Sequence, residues 1–134
     1  MLQQTTPYGF GTIVPLPYER AVARVREELA KEGFGILTEI DVRNTLKQKL
    51  DVDFRRYIIL GACNPPLAHR ALSAETDIGL LLPCNVVVYE TSDHTSMVAA
   101  MDPQAALALT HKPEIAELAA EVRTKLTRAL EALL

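Results

Sequence analysis

The sequence lacks the patterns that mark several large classes of protein. Its 134 residues carry a formal net charge of −3, so no overall positive charge attracts the phosphates of nucleic acid. No run approaches the roughly 18 consecutive apolar residues of a membrane-spanning helix, and residues 1–6 have neither the basic start nor the apolar stretch of a signal peptide. We therefore predict a cytoplasmic protein that binds neither nucleic acid nor membrane.

Cysteine is scarce, since Cys63 and Cys84 are the only two. Their spacing matches no zinc-finger or Cys-x-x-Cys pattern, and in a reducing compartment such cysteines are more often buried thiols than a disulfide. The sequence also contains no phosphate-cradling glycine loop, dinucleotide fingerprint or Ser-His-Asp order. Because no repeat or linker interrupts a chain that is 49% hydrophobic, we predict one domain over residues 1–134.

Hydrophobic periodicity predicts an alternating set of strands and helices. The order β-α-β-β-β-β-α indicates an α+β fold, in which a mainly antiparallel sheet of about five strands carries two long helices on one face. The segment 95–101 fits a strand or a helix and is assigned to the fifth strand. The predicted strands are 8–14, 34–42, 54–63, 79–90 and 95–101, the long helices are 17–32 and 113–133, and the short helices are 42–50, 67–75 and 103–109.

The second face of this sheet is left without a cover. Segments as apolar as 58–60 and 80–88 do not face water on both sides, and too little helix remains to cover them. We expect either dimerisation through the sheet or an enclosed apolar cleft.

Two Cys-Asn pairs beside prolines are the most specific motifs in the chain. Cys63-Asn64 lies within Gly-Ala-Cys-Asn-Pro-Pro, and Cys84-Asn85 lies within Leu-Pro-Cys-Asn-Val. If the strands that carry them are antiparallel neighbours, both cysteines lie at the same end of the sheet, whereas a parallel crossover would place them at opposite ends. The alternative without chemistry is buried cysteines and asparagines that form turns.

Several chemistries suit two thiols and two amides in one place. They could line a small-ligand site, hold a soft metal ion together with His69, or activate one cysteine as a nucleophile or redox centre. A lone histidine on a short helix is more typical of a structural residue. Glu39 and Asp41 share one face of a predicted strand and could bind a cation or act as acid and base, although a solvated face or a helix N-cap at Asp41 is favoured.

At these motifs the chain resembles the domain-of-unknown-function 302 family. The resemblance rests on Asp41-Val42, Thr45 and the lysines at 47 and 49, followed by the segments 60–65 and 81–86. It extends over nearly the whole chain. It implies a small α+β domain that forms homodimers, and it adds no reaction and no cofactor.

The leading hypothesis is a homodimeric module that binds a small ligand or a metal ion. Its ligand site is predicted to be lined by Cys63, Asn64, Cys84 and Asn85, with Glu39 and Asp41 as further candidates. The metal candidates are Cys63, Cys84 and His69. One alternative is a thiol enzyme with Cys63 or Cys84 as the catalytic group, and another is a structural dimer without a ligand site.

Overall fold

The computed structural model describes all 134 residues and contains one six-stranded sheet. Every neighbouring pair of strands is antiparallel, in the order β1-β2-β6-β5-β4-β3. The prediction of an α+β fold with a mainly antiparallel sheet is therefore confirmed. The strands are β1 (Gln3–Thr6), β2 (Gly9–Val14), β3 (Gly35–Asp41), β4 (Tyr57–Cys63), β5 (Cys84–Glu90) and β6 (Ser96–Met101).

Five helices and two short 3₁₀ helices complete the fold. Apolar residues at helical spacing put one side of each long helix into the core, as in α1, where Ala21, Val25 and Leu29 are buried. The helices are α1 (Tyr18–Lys31), α2 (Val42–Leu50), α3 (Pro65–Ala74), α4 (Pro103–Leu107) and α5 (Pro113–Glu131), and the 3₁₀ helices are Thr76–Leu81 and Ala108–Thr110. No helix has the length and apolar character needed to cross a membrane.

The core lies between the long helices and one face of the sheet. In β4 and β5 alternate residues point toward the helices, and the register pairs Leu60 with Val86 and Ala62 with Cys84. Leu60 and Val86 are fully enclosed. This alternation places the intervening residues on the opposite face.

Two strand predictions were incomplete or wrong. β1 was not predicted, because its polar residues are mostly exposed and carry no hydrophobic signal. The strand predicted over 79–90 begins only at Cys84, and Leu80 is 88% exposed in the preceding 3₁₀ helix. Pro83 explains the boundary, because proline has no N–H to donate to a sheet.

The side of the sheet turned away from α1 and α5 carries two uncharged rows. One row crosses β3, β4, β5 and β6, and the other crosses β4, β5, β6 and β2. Ile40 and Ile13, at the ends of these rows, are 47% and 56% exposed. We call this surface the open face, and its rows are Ile40-Ile59-Val87-Ala99 and Tyr57-Tyr89-Met97-Ile13.

Candidate functional site

The two Cys-Asn pairs lie at the same end of the sheet. β4 and β5 are antiparallel, and Cys84 is paired with Ala62, the residue before Cys63. On the other side of β4, Cys63 is paired with Gly35 of β3. The parallel crossover considered from the sequence is therefore excluded, and the end of one strand adjoins the start of the next.

An apolar cavity of about 310 Å³ lies at this end of the sheet. It is bounded by the start of β3, the end of β4, the helix α3, the segment leading into β5, and α5. None of its 17 lining residues carries a charge. Those residues are Phe34, Leu37, Thr38, Ala62, Cys63, Asn64, Leu67, Ala68, Ala71, Leu72, Gly79, Leu82, Pro83, Cys84, Leu107, Leu118 and Val122.

Exposure distinguishes the inner wall of the cavity from its mouth. Phe34, Leu107 and Leu118 are each 4% exposed and form part of the inner wall, whereas Leu37 and Leu72 are 66% and 40% exposed. The cavity therefore leads from an apolar opening at the surface into the hydrophobic core. A void of this size is at the small end of the range that small-molecule sites occupy.

Both cysteines line the cavity as free thiols. Burial raises the pKa of the half-buried Cys63 thiol. Burial, and in second place the charge of a Cys63 thiolate, raise the pKa of the Cys84 thiol to about 11. An apolar environment without a nearby cation favours the neutral thiol, so both groups are protonated at neutral pH.

The two asparagines have different roles. The Asn64 side chain lines the cavity and donates a hydrogen bond of 3.2 Å from Nδ2 to the backbone oxygen of Glu32, at the end of α1. Gly33, the residue after Glu32, has a φ of 85°, and a Cβ at this position would lie 3.0 Å from Asn64 Nδ2. Asn85 is exposed, opposite Gly61 on the open face, and does not line the cavity.

The remaining candidates lie outside the cavity. Glu39 forms an ion pair with Arg26, whose hydrogen bond lowers the pKa of the Glu39 carboxyl. Asp41 caps α2 by accepting a hydrogen bond of 2.9 Å from the backbone N–H of Asn44, which is the N-cap favoured from the sequence.

His69 is exposed on α3 and does not join the two cysteines. No group of three or more His, Cys, Asp or Glu side chains is placed to hold a metal ion. The three metal candidates from the sequence are therefore not brought together.

Sequence reasoning missed the apolar wall that α3 contributes. This helix turns Leu67, Ala68, Ala71 and Leu72 toward the cavity. These four apolar residues cover a wider part of the helix surface than a short helix needs for packing on a core. The width of this apolar surface was the feature of the sequence that could have indicated the cavity wall. The contributions of Thr38 and α5 depend on tertiary packing and left no local signal.

A comparison with solved structures found a protein of nearly the same fold. The crystal structure of the uncharacterized conserved protein DUF302 from Bacillus stearothermophilus is 29% identical in sequence and superposes with a TM-score of 0.87. The alignment covers 95% of this chain and 98% of that one. No curated protein matches the sequence.

The family model described as domain of unknown function DUF302 matches residues 10–133. The match includes all of the secondary structure except β1 and the first residue of β2, and it contains both Cys-Asn pairs. The chain therefore belongs to the DUF302 family.

Proposed function

We propose that this protein is a binding domain for a small, uncharged, mainly apolar ligand. The observation that carries the proposal is the cavity of about 310 Å³, which has no charged lining residue and a deeply buried inner wall. A ligand that is itself charged would lose its hydration there without gaining a counter-charge, at a cost of several kcal/mol. An apolar ligand gains about 25 cal/mol for each Å² removed from water.

The few polar groups in the cavity suit recognition of a neutral ligand. Thr38 can donate and accept a hydrogen bond, while Cys63 and Cys84 are weak donors when protonated. One or two polar contacts within an apolar lining orient a ligand and distinguish it from others of similar size. The cysteines thus serve this site as neutral lining residues.

The environment of the thiols argues against the alternative of a thiol enzyme. A reactive cysteine needs a lowered pKa, which a neighbouring cation or a helix N-terminus supplies. Cys63 directly precedes Asn64, the N-cap of α3, and burial nevertheless raises the pKa of each thiol, that of Cys84 to about 11. A soft metal ion would require two thiolates, because His69 is exposed and does not line the cavity. The raised pKa values of the two thiols oppose the formation of thiolates.

Titration with a neutral fluorescent dye tests this function. N-phenyl-1-naphthylamine is expected to bind with one site per chain and enhanced emission, and its sulfonated analogue to bind at least about tenfold more weakly, because burial of its charge is unfavourable. Ala68→Phe, on the cavity side of α3, should weaken binding of the neutral dye by about tenfold or more, since it fills the space the dye needs.

Ala116→Phe is the matched control, because Ala116 is exposed on α5 and does not line the cavity. Thermal melts of both variants verify that each is folded. Equal dye affinity for the wild type and Ala68→Phe would contradict binding in this cavity.

We also propose that the protein is a homodimer that associates through the open face. Across five strands spaced about 4.8 Å apart, this face covers roughly 400 Å² in projection, which is within the range of the largest apolar patch on a typical monomer, a patch that is often functional. Neither row contains a charged residue, and the charge next to them is the Arg55 guanidinium, which lies 5.6 Å from the centroid of the Tyr89 ring. Two free thiols support a reducing compartment such as the cytoplasm.

Sedimentation equilibrium tests the dimer. Ile13→Lys places a charge in the open face and should produce a monomer. Leu109→Lys makes the same change at a residue that is 69% exposed outside the sheet, and it should leave the dimer intact. A wild-type protein that stays monomeric at all concentrations would exclude this interface.

A further inference from the structure

A polar groove lies next to the apolar cavity, and the two share Asn64 and Leu67 as lining residues. The groove has a volume of about 740 Å³ and lies between the end of α1, the start of α3 and α5. Six of its ten lining residues are charged, whereas the cavity lining carries no charge. The charged residues of the groove are Lys31, Glu32, Arg70, Glu121, Lys125 and Arg128.

The two carboxylates of the groove are already paired with its two arginines. Arg128 Nε donates a hydrogen bond of 2.9 Å to Glu32 Oε1. Arg70 Nη1 donates one of 3.3 Å to Glu121 Oε2. Each guanidinium makes no other hydrogen bond within the chain, although it has further N–H donors. The glutamates therefore orient the arginines and leave most of their donors free.

Lys125 lies between these two ion pairs without a partner of its own. It follows Glu121 by four residues on α5 and precedes Arg128 by three, so the three side chains share one face of the helix. Glu121 pairs with Arg70 instead, and Lys125 forms no salt bridge. Like charges one turn apart destabilise a helix, and an anion beside Lys125 would relieve that repulsion.

The charges along the groove do not cancel. Four cations face two carboxylates in the lining, which leaves two positive charges in a chain whose net charge is −3. Lys31 pairs at 2.8 Å with Glu28, but that carboxylate also pairs at 3.2 Å with Arg24 and is shared between two cations. Positive charge along a concave surface raises the local concentration of anions.

We propose that this groove binds a small phosphate monoester, with the phosphate held between Arg70, Lys125 and Arg128. A phosphate monoester carries about two negative charges at pH 7, and its oxygens are strong hydrogen-bond acceptors. Two guanidinium groups with free donors and one unpaired ammonium match this charge and these oxygens. A carboxylate offers less charge and fewer acceptors to the same three cations.

The organic part of this ligand is polar. Residues 121–128 of α5 extend over about 10 Å along the groove, which is more than a phosphate fills. Leu67 is the one hydrophobic residue of the lining. The Asn64 amide makes one hydrogen bond within the chain, to the backbone oxygen of Glu32, and has capacity left for ligand hydroxyl groups. This site is separate from the one proposed for an apolar ligand in the cavity.

Isothermal titration calorimetry of the full chain with glycerol 3-phosphate tests the site. We expect saturable binding at one site per chain, and glycerol, which lacks the phosphate, should not bind. Lys125→Gln should weaken binding by about tenfold or more, because it removes a charged hydrogen-bond donor from the phosphate. Lys125→Arg keeps the charge and should retain most of the affinity.

Lys49→Gln is the matched control. Lys49 is exposed on α2 and does not line the groove, and like Lys125 it forms no salt bridge. The substitution removes the same charge and should leave the affinity unchanged, while thermal melts verify that each variant is folded. Equal weakening by Lys49→Gln and Lys125→Gln would overturn the site, as would a wild type without saturable binding.

Inorganic phosphate distinguishes a monoester from the free anion. Glycerol 3-phosphate should bind more tightly, since its hydroxyl groups add hydrogen bonds in the groove. Equal or tighter binding of inorganic phosphate would overturn the monoester. Lys125→Gln should bind N-phenyl-1-naphthylamine as the wild type does, because Lys125 does not line the cavity, so failure of the phosphate site leaves the function proposed for the cavity intact.

Discussion

The two Cys-Asn pairs have identical residues and different environments. Cys63 is half-buried at the end of β4, and Asn64 leads into α3 with its side chain bound to the end of α1. Cys84 is 6% exposed at the start of β5, and Asn85 faces away from the cavity. The position of each pair relative to its strand explains the difference. Along β5, alternation sends the side chains of Cys84 and Asn85 to opposite faces of the sheet. Asn64 instead lies beyond the end of β4, where α3 begins.

The largest expected difference between the pairs is in how stability depends on pH. The folded-state pKa of Cys84 is raised from 9.0 to about 11, so the folded protein retains a proton that the unfolded chain loses. The stability that this raised pKa contributes is complete below pH 9 and is lost as the pH rises through the folded-state pKa. The loss amounts to about 2 to 3 kcal/mol in the free energy of unfolding. Urea unfolding at several pH values should therefore show a smaller decline from pH 9 to 11 in Cys84→Ala than in the wild type.

Cys63→Ala is the matched comparison. Burial alone raises the pKa of the half-buried Cys63 thiol, whereas the charge of a Cys63 thiolate also acts on Cys84. We expect it to retain most of the wild-type decline. Equal slopes for the wild type and Cys84→Ala would mean that the Cys84 thiol is not held in its neutral form.

A substitution at Gly61, which is paired with Asn85 across β4 and β5, tests the close packing of Thr38 and Pro83 beside the Cys84-Asn85 pair. Gly61→Ala should lower the free energy of unfolding by about 2 kcal/mol, because the added methyl meets Thr38 and Pro83. Gly79→Ala is the control, since nothing lies within 4 Å of a Cβ at that position, and its effect should stay within about 0.5 kcal/mol. Equal effects in chemical denaturation would contradict the close approach at Gly61.

Thiol reactivity sharpens the comparison between the two cysteines. At pH 8 the thiol of Cys63, measured in Cys84→Ser, should react with a neutral maleimide at least about tenfold faster than that of Cys84, measured in Cys63→Ser. The expectation follows from the deeper burial of Cys84 and its pKa of about 11. Faster labelling of Cys84 in folded protein would contradict its deeper burial.

The smallest expected difference is between the asparagines. Asn64→Ala removes the hydrogen bond to the Glu32 carbonyl and should cost about 1 kcal/mol of stability. Asn85→Ala, on an exposed side chain, should change stability by less than about 0.5 kcal/mol. Thermal or chemical unfolding of the two variants measures both values, and equal losses would remove the distinction between the pairs.

Much of the fold followed from periodicity, and the exceptions have physical causes. The pattern of α5 predicted its buried side, since Ile115, Leu118 and Leu126 recur at helical spacing and are buried. The start of β5 was misplaced because Leu80 to Leu82 look like a buried strand, while hydrogen bonding places residues 76–81 in a 3₁₀ helix. A run of three leucines does not reveal which of its members faces water.

Part of the geometry at the two Cys-Asn pairs could be predicted from the sequence. Cys63 and Cys84 were expected at one end of the sheet if their strands were antiparallel neighbours, and the register shows that they are. Asn85 does not line the cavity, so a site shared by all four motif residues stays a prediction that the cavity alone does not support. The wall from α3 and α5 joins residues far apart in sequence, which spacing within one segment does not reveal.

The most direct test of the account is a methyl NMR titration of the folded protein with N-phenyl-1-naphthylamine. We predict saturable shifts at methyl groups of the cavity, with Ile40, Ile59 and Val87 of the open face used to report any change in dimerisation. Saturable binding that leaves the cavity methyls unchanged would contradict the proposed site, as would the absence of binding. The cavity reporters are Leu37, Leu67, Leu72, Leu82, Leu107, Leu118 and Val122.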